Sequence, residues 1–531
     1  MGKFIKTLFV AGIMVAVQLC CNSSYALNFH HFTPHGLFGA LPSGSINGFF
    51  PEPMIDLRNL GWADAFDKMH ATLQKEYAFT DYRNINWEEL KQTIRPKILQ
   101  AEFNNSEIEY YTALREYIVA LHETHTDLVY DYLNPGIANF VFQAVYHNIG
   151  GSYGLIVSKL DNGKFIASYV ADGGAAQRAG IIAGAEIINW NNQPILSAVN
   201  NTSLTWSSEY DLDGLPYHAY PVYAPATQAG IQFQQLRLLV RAPIKTPVNI
   251  VFQNPGSQTQ ITKTLIAQDD NQDTLKRTAL YHDPDLDPHD DPSKAIKYQI
   301  LPGDYGYIRV LSEVYEKDKG DREKIGYLTF KRAIDYLNQH GITKVIVDIR
   351  GNNGGDPGLS CDFSGFFSHH SSFCTKLSAY HRATQKYDSL DGQLGPYYHG
   401  PQDSYFSGKV AVLTDIGTLC AGEILAAGFK ELSALYPGRF RVFSIDSNTT
   451  GSISSQYMIA MPGNFGVEYS ILRAYDENGN ILIESKHDSS GKLEGGIAPD
   501  EKIPLTAENA LDIYSYAKDI VLEKAESWLK N

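Results

Sequence analysis

The sequence predicts a multidomain α+β protein with a helical N-terminal region, a middle region of short strands and a C-terminal α/β core. Three observations predict it. Apolar residues recur at helical spacing between positions 60 and 128. Short alternating runs broken by glycine fill positions 140 to 267. Apolar strand-like runs then alternate with amphipathic segments from position 298 onward, the pattern of parallel strands joined by crossover helices. The chain of 531 residues is too long for one ordinary core, at roughly 100–200 residues per domain.

The elements follow in order. Lys3 and Lys6, an apolar run from Leu8 to Leu19 and Ser24-Tyr25-Ala26 form a charged start, an apolar stretch and a small-x-small site. Residues 1–26 are therefore expected to be a signal peptide cut after Ala26. The run is short of the roughly 20 residues of a bilayer span, so a stable membrane span after cleavage is not expected. Gln18 and Leu19 argue against a lipoprotein site at Cys20 or Cys21. A periplasmic or secreted location is expected. Residues 27–135 read as an extended arm followed by helices; Ala65, Met69, Leu73 and Tyr77 share one face, and Glu107–His122 reads as one helix. Residues 136–268 read as strands and turns, closed by a hairpin of Val248–Phe252 and Thr262–Leu265, with a Tyr- and Pro-rich insertion from Asn200 to Arg241. Residues 269–297 are acidic and contain proline, as a solvated linker would. Their oxygen ligands raise calcium, but the spacing is not that of an EF-hand. In residues 298–531, strands are expected at Gly306–Val310, Val345–Ile349, Val410–Thr414 and Arg439–Ile445, and helices at Gly326–Gln339, Ala421–Leu435 and Leu511–Leu529.

Charge narrows the function. With 44 basic against 59 acidic residues, a net of −15, no basic stripe is available to neutralise phosphates, so a nucleic-acid partner is not expected. Five cysteines become three once the leader is removed. An odd number in an oxidising compartment leaves one thiol over. Cys361 and Cys374 could close a small loop and leave Cys420 unpaired; a pairing with Cys420 stays open. His369 and His370 lie between the first two cysteines with too few neighbours for a metal site.

Five segments, in order, resemble one family. Tyr153-Gly154-Leu155, Gly174-Ala175-Ala176 through Gly180, and Gly184-Ala185-Glu186-Ile187-Ile188 resemble a PDZ domain, with Ala185 replacing the usual Asp. Leu121–Thr126 resembles "L-x-D-x-H-T". Asp348–Gly355 resembles "D-[LI]-R-x-N-x-G-G". Thr414–Ile424 resembles the nucleophile segment, and Glu494–Asp500 resembles "E-G-x-G-I-x-P-D". Together they resemble the C-terminal processing (tail-specific) protease family, and more its tricorn-like branch than its Ser-Lys branch. Thr450 stands where the dyad lysine would be, and Cys420 where the serine would be.

The resemblance implies a PDZ-like middle domain, a ClpP/crotonase-like protease core and an exported peptidase that needs no cofactor and acts on protein or peptide substrates. It implies Cys420 as nucleophile, His125 as base and Glu494 as orienter. Backbone N–H groups of Gly354 or Gly355 and of Ala421 would form an oxyanion hole. Tyr153, Gly154 and Leu155 would hold a substrate C-terminus. Glu423 reads as a helix cap, Asp348 and Arg350 as a local ion pair, and His122 as a surface residue. Loss of both serine and lysine also fits a catalytically inactive peptide-binding relative or, more weakly, a structural envelope protein. The oligomeric state is not legible.

Overall fold

The β-branched run Val345-Ile346-Val347 lies at the centre of a six-stranded sheet in the computed structural model, which describes residues 54–130, 134–207, 224–278, 292–313, 325–389 and 394–531. The leader, the arm up to Pro53 and the acidic run Asp283–Asp291 lie outside the described residues. The sheet runs Ile296–Leu301, Tyr305–Val310, Lys344–Asp348, Lys409–Leu413, Phe440–Ile445 and Glu501–Ile503; its first pair is antiparallel and the others are parallel. Successive side chains of a strand point to opposite faces, and both faces are covered. Val345, Val347, Val410 and Val412 pack under the helices Ile325–Gln339, Pro357–Gly365 and Ala421–Leu435. Ile346, Ala411 and Leu413 pack under Ala507–Tyr514 and Ile520–Lys530. Two-sided burial is why these strands read as continuous apolar runs. The expected closing helix is thus two helices, separated at residues 515–519.

The N-terminal helices Trp62–Glu76, Trp87–Asn104 and Glu107–Val119 do not keep a core of their own. Phe66, Leu73 and Tyr117 share one buried cluster with Met461, Val467 and Tyr469. The strand Asp127–Tyr130 pairs antiparallel with Phe465–Ser470, which pairs with Gln456–Met461, and Ile55–Asp56 closes that sheet. The helix expected to reach His122 stops at Val119. His122 then takes a φ of 50° and turns the chain toward the strand.

Middle-region strands form a further sheet in the order Ile261–Ile266, Pro247–Gln253, Glu186–Trp190, Phe165–Val170, Leu155–Lys159, with the helices Ile195–Asn200 and Gln228–Leu239 against it. One stretch differs from expectation: Pro135–Ile149 is a helix. Asn134 accepts from the Gly136 N–H at 3.0 Å and Pro135 occupies the first turn, a favoured helix start. Its buried residues Ala138, Val141, Ala144 and Val145 fall at helical spacing. A disulfide joins Cys361 to Cys374, and Cys420 is a free thiol. No helix among the described residues is long and apolar enough to cross a membrane.

Candidate active site

The sheet strand Lys409–Leu413 runs into a turn that the Thr418 hydroxyl pins by donating to the Ile349 carbonyl at 2.9 Å. The Asp415 carboxylate closes the same turn by accepting the N–H groups of Gly351 and Gly417 at 2.8 and 3.0 Å. Cys420 ends this turn as the residue that heads the helix Ala421–Leu435, with φ 56° and ψ −123°. A non-glycine residue held there costs on the order of 1–3 kcal/mol, and the surrounding structure must hold it. The Cys420 N–H donates to the Ser452 carbonyl at 3.1 Å.

Gly354 lies directly against this residue. A Cβ on Gly354 would fall 2.5 Å from Cys420 Cβ and 3.2 Å from its Sγ, and the φ of 88° disfavours any side chain. The Gly354 N–H is spent on Asn352 Oδ1 at 2.7 Å. Among the described residues, the N–H groups of Gly355 and Ala421 donate to no protein acceptor. Of the two glycines named from sequence, Gly355 therefore keeps a donor and Gly354 supplies closeness.

His125 reaches this place from the other end of the chain, in the turn before Asp127–Tyr130. Its Nδ1 lies 3.2 Å from Glu123 Oε1 and 3.0 Å from Ser452 Oγ, and its backbone N–H donates to the same carboxylate at 3.0 Å. The Ser452 hydroxyl donates to Glu123 Oε1 at 2.5 Å. Thr126 donates to Glu123 Oε2 at 2.9 Å, and the Ser470 hydroxyl bonds the same oxygen. With Nδ1 so engaged, the ring's other nitrogen is left to face Cys420, whose charge acts on it; the Cys420 thiol itself donates to the Ser454 carbonyl at 3.8 Å. Burial favours the neutral imidazole, but Cys420 and Glu123 outweigh it and raise the His125 pKa well above the ordinary range. Burial likewise opposes a charged Glu123, yet the hydrogen bond and charge of His125 pull its pKa down to about 2. The two shifts agree: the pair is a buried imidazolium–carboxylate whose carboxylate is hydrogen-bonded at both oxygens.

The Glu423 carboxylate does not cap its own helix. It accepts from the Thr449 hydroxyl at 2.5 Å and from the N–H groups of Gly451 and Ser452 at 2.7 and 2.9 Å. Burial raises its pKa to about 7. It thereby fixes the loop that delivers Ser452 to His125.

Several expectations need correction. Glu494 is exposed: it sits in the hairpin Lys486–His487/Leu493–Glu494, whose alternation buries Leu493 and turns Glu494 outward. Its place beside the imidazole is held by Glu123. His122 is half-buried, and burial with the nearby Arg83 charge lowers its pKa to about 4. In the proposed carboxylate loop, the Tyr153 N–H is taken by the Val240 carbonyl at 3.1 Å. The Gly154 N–H is taken by Ser152 Oγ at 3.0 Å. Two of its donors are thus spent, and Leu155 begins the edge strand. Asp348 and Arg350 do pair, at 2.6 Å, within a cluster that includes Arg309, Tyr307 and Asp519. Thr450, at the lysine position, donates its hydroxyl to Ile416. His369 stacks on Tyr405, and no group of metal-ligating side chains occurs among the described residues.

Sequence reasoning missed Glu123 and Ser452. Glu123 had a signal, a carboxylate two residues before the base in the same turn. Ser452 had none, being 327 positions from His125.

A strained residue heading a helix, two unspent N–H groups beside it and an imidazole seated on a buried carboxylate form the layout of an acyl-transfer site. Comparison with known proteins narrows that class. Residues 304–503 match the model of peptidase family S41. The solved structure of mature CPAF is similar at TM-score 0.55 and 13% identity, over 89% of this chain and 98% of that one. Mature CPAF complexed with lactacystin gives 0.52 and 11%, over 88% and 97%. The photosystem II D1 C-terminal processing protease aligns at 16% identity over 87% and 98%, with a TM-score of 0.35. The likeness to CPAF is one of fold. No curated protein sequence matches the chain.

Proposed function

We propose that the protein is an exported peptidase that hydrolyses peptide bonds of protein or peptide substrates with Cys420 as nucleophile and His125 as base. The observation that carries this reading is a strained Cys420 at the head of a helix, lying against Gly354 and acting by charge on an imidazole anchored by Glu123. His125 holds the thiol proton as an imidazolium beside the Cys420 thiolate, and the sulfur attacks the substrate carbonyl carbon. The oxygen of the tetrahedral intermediate takes the Gly355 and Ala421 N–H groups. His125 then returns its proton to the leaving amine, which departs and leaves a thioester. Water, deprotonated by the now neutral His125, hydrolyses the thioester, and Cys420 leaves as a thiolate beside the imidazolium. Glu123 holds the ring orientation throughout and stabilises its positive form whenever it carries the proton, the part assigned to Glu494 from sequence.

The middle sheet is proposed as a PDZ-like module that guides substrate. Its strand Leu155–Lys159 is an edge strand with the helix Gln228–Leu239 beside it, and peptides add to such edges as an extra strand. Donors already spent at Tyr153 and Gly154 favour this strand pairing over carboxylate capture. The charged start, short apolar run and cleavage site of residues 1–26 support export to a periplasmic or extracellular place.

The test is hydrolysis of fluorescently labelled, unfolded casein by the leader-free protein. Cleavage that disappears in Cys420→Ala and in His125→Ala is expected. Casein held without turnover, equally by wild type and Cys420→Ala, would instead identify a peptide-binding relative.

A further inference from the structure

Glu313 stands beneath the loop that carries Gly354 and Gly355, and nothing in the chemistry above employs it. It is buried, at 1% exposure. Its backbone pairs with the loop: the Glu313 N–H donates to the Gly354 carbonyl at 3.0 Å, and the Asp356 N–H donates to the Glu313 carbonyl at 2.8 Å. A Cβ on Gly355 would fall 2.3 Å from the Glu313 carbonyl oxygen, which is why glycine is required there.

The side chain continues the pattern. Glu313 Oε1 accepts from Asn352 Nδ2 at 2.9 Å, and Asn352 Oδ1 accepts the Gly354 N–H at 2.7 Å. The Asn352 carbonyl accepts the Leu419 N–H at 2.8 Å, one residue before Cys420. Asn352 therefore ties together the two segments that present Gly355 and Ala421, and Glu313 holds Asn352 from behind. Among the described residues, no arginine, lysine or histidine neutralises Glu313, and the charged group acting on it is Asp356, a like charge. Its Oε2 is buried without a hydrogen-bond partner among the described residues. A carboxylate so placed would have its negative charge uncompensated beside the site where an oxyanion develops.

We propose that Glu313 is a positioning residue of the oxyanion hole, acting as a neutral carboxyl that holds Asn352 and through it the Gly354–Gly355 loop. Burial, with Asp356 adding to it, raises its pKa to about 8, so the neutral form prevails at neutral pH and is lost above that value. The proposal rests on the peptidase reading for its catalytic consequence. The state of the carboxyl can be read without any activity.

Two measurements test it. The first is thermal unfolding of the full chain from pH 5 to 9 in wild type and Glu313→Gln. A carboxyl whose folded pKa is raised contributes stability at low pH that is lost as pH rises from its unfolded to its folded value. The Tm of wild type is expected to fall relative to Glu313→Gln across pH 5 to 8. A difference between the two that does not change with pH overturns the proposal, whatever the enzyme does. The second is the pH dependence of kcat and KM on labelled casein. Wild type is expected to lose kcat above about pH 8 with KM nearly unchanged. Glu313→Gln, which can still accept from Asn352, is expected to lack that alkaline decline, and Glu313→Leu to lose kcat at least tenfold at every pH. Equal pH profiles for wild type and Glu313→Gln, or full activity in Glu313→Leu, overturn the positioning role. Absence of casein cleavage in wild type counts against the peptidase reading, and the unfolding experiment then decides on Glu313 alone.

Discussion

At the residue scale, the site is built on compensated burial. Glu123 and His125 are both buried, yet each is held charged by the other, and Ser452, Thr126 and Ser470 complete the carboxylate's bonds. Removing one member leaves the other's charge uncompensated. Glu123→Gln is therefore expected to lower kcat/KM on labelled casein by about 10²–10⁴-fold through loss of the base's orientation. Steady-state kinetics beside a thermal melt would separate this from unfolding. The acid limb of stability follows from the same pair. The Glu123 pKa is depressed from 4.5 to about 2, so its contribution is present above about pH 4.5 and is lost as pH falls toward 2. Wild type should lose Tm over that window more steeply than Glu123→Gln. Parallel curves would show that Glu123 is not charged in the fold.

Legibility at this scale divided along chain distance. Cys420, His125, Gly355 and Ala421 stand in segments with a recognisable local pattern. Glu494 stands in one too, yet strand alternation turns it to solvent. Ser452 and Glu313 belong to no such pattern, since their roles arise from loops brought together only by the fold.

At the element scale, strands with two covered faces were the most readable, because two-sided burial leaves an unbroken apolar run such as Val345-Ile346-Val347. The helix Pro135–Ile149 was misread. Its glycine and aromatic residues resemble strand-and-turn composition, while the Asn134-Pro135 start and the buried spacing Ala138, Val141, Val145 carry the true signal. The helix Pro357–Gly365 has a separate importance. It follows the Gly354–Gly355 loop directly, its Ser360 hydroxyl donates to the Ala421 carbonyl at 2.7 Å, and its Cys361 is tied to Cys374 across a separation of 13 residues. Closing a loop of that size is worth about 3 kcal/mol in the chain-entropy account. The double variant Cys361→Ser/Cys374→Ser is expected to lose roughly that stability in urea unfolding, and an unchanged midpoint would contradict it.

At the scale of the whole molecule, the linear order of regions and the order of cores differ. The N-terminal helices pack on strands more than 300 residues away along the chain: Asp127 faces Glu468 in the register of one sheet. This shared core carries His125 to Cys420, so the site exists only when both ends of the chain are folded together. A fragment of residues 54–130 alone loses every partner contributed by Gln456–Ser470, and circular dichroism is expected to find it largely unfolded. A cooperative melt of that fragment would show that the helices are a domain in their own right. The helical region, the strand-rich middle and the α/β core were all visible in composition and period; the interleaving of first and last was not, because pairing across such distances leaves no local trace.

The most direct measurement is the rate at which iodoacetamide alkylates Cys420 at pH 6, in wild type and in His125→Ala, followed by mass of the Cys420 peptide. An imidazole in contact with the sulfur predicts at least a tenfold slower reaction in the variant, with its fold unchanged by circular dichroism. Equal rates would contradict the pairing of Cys420 with His125.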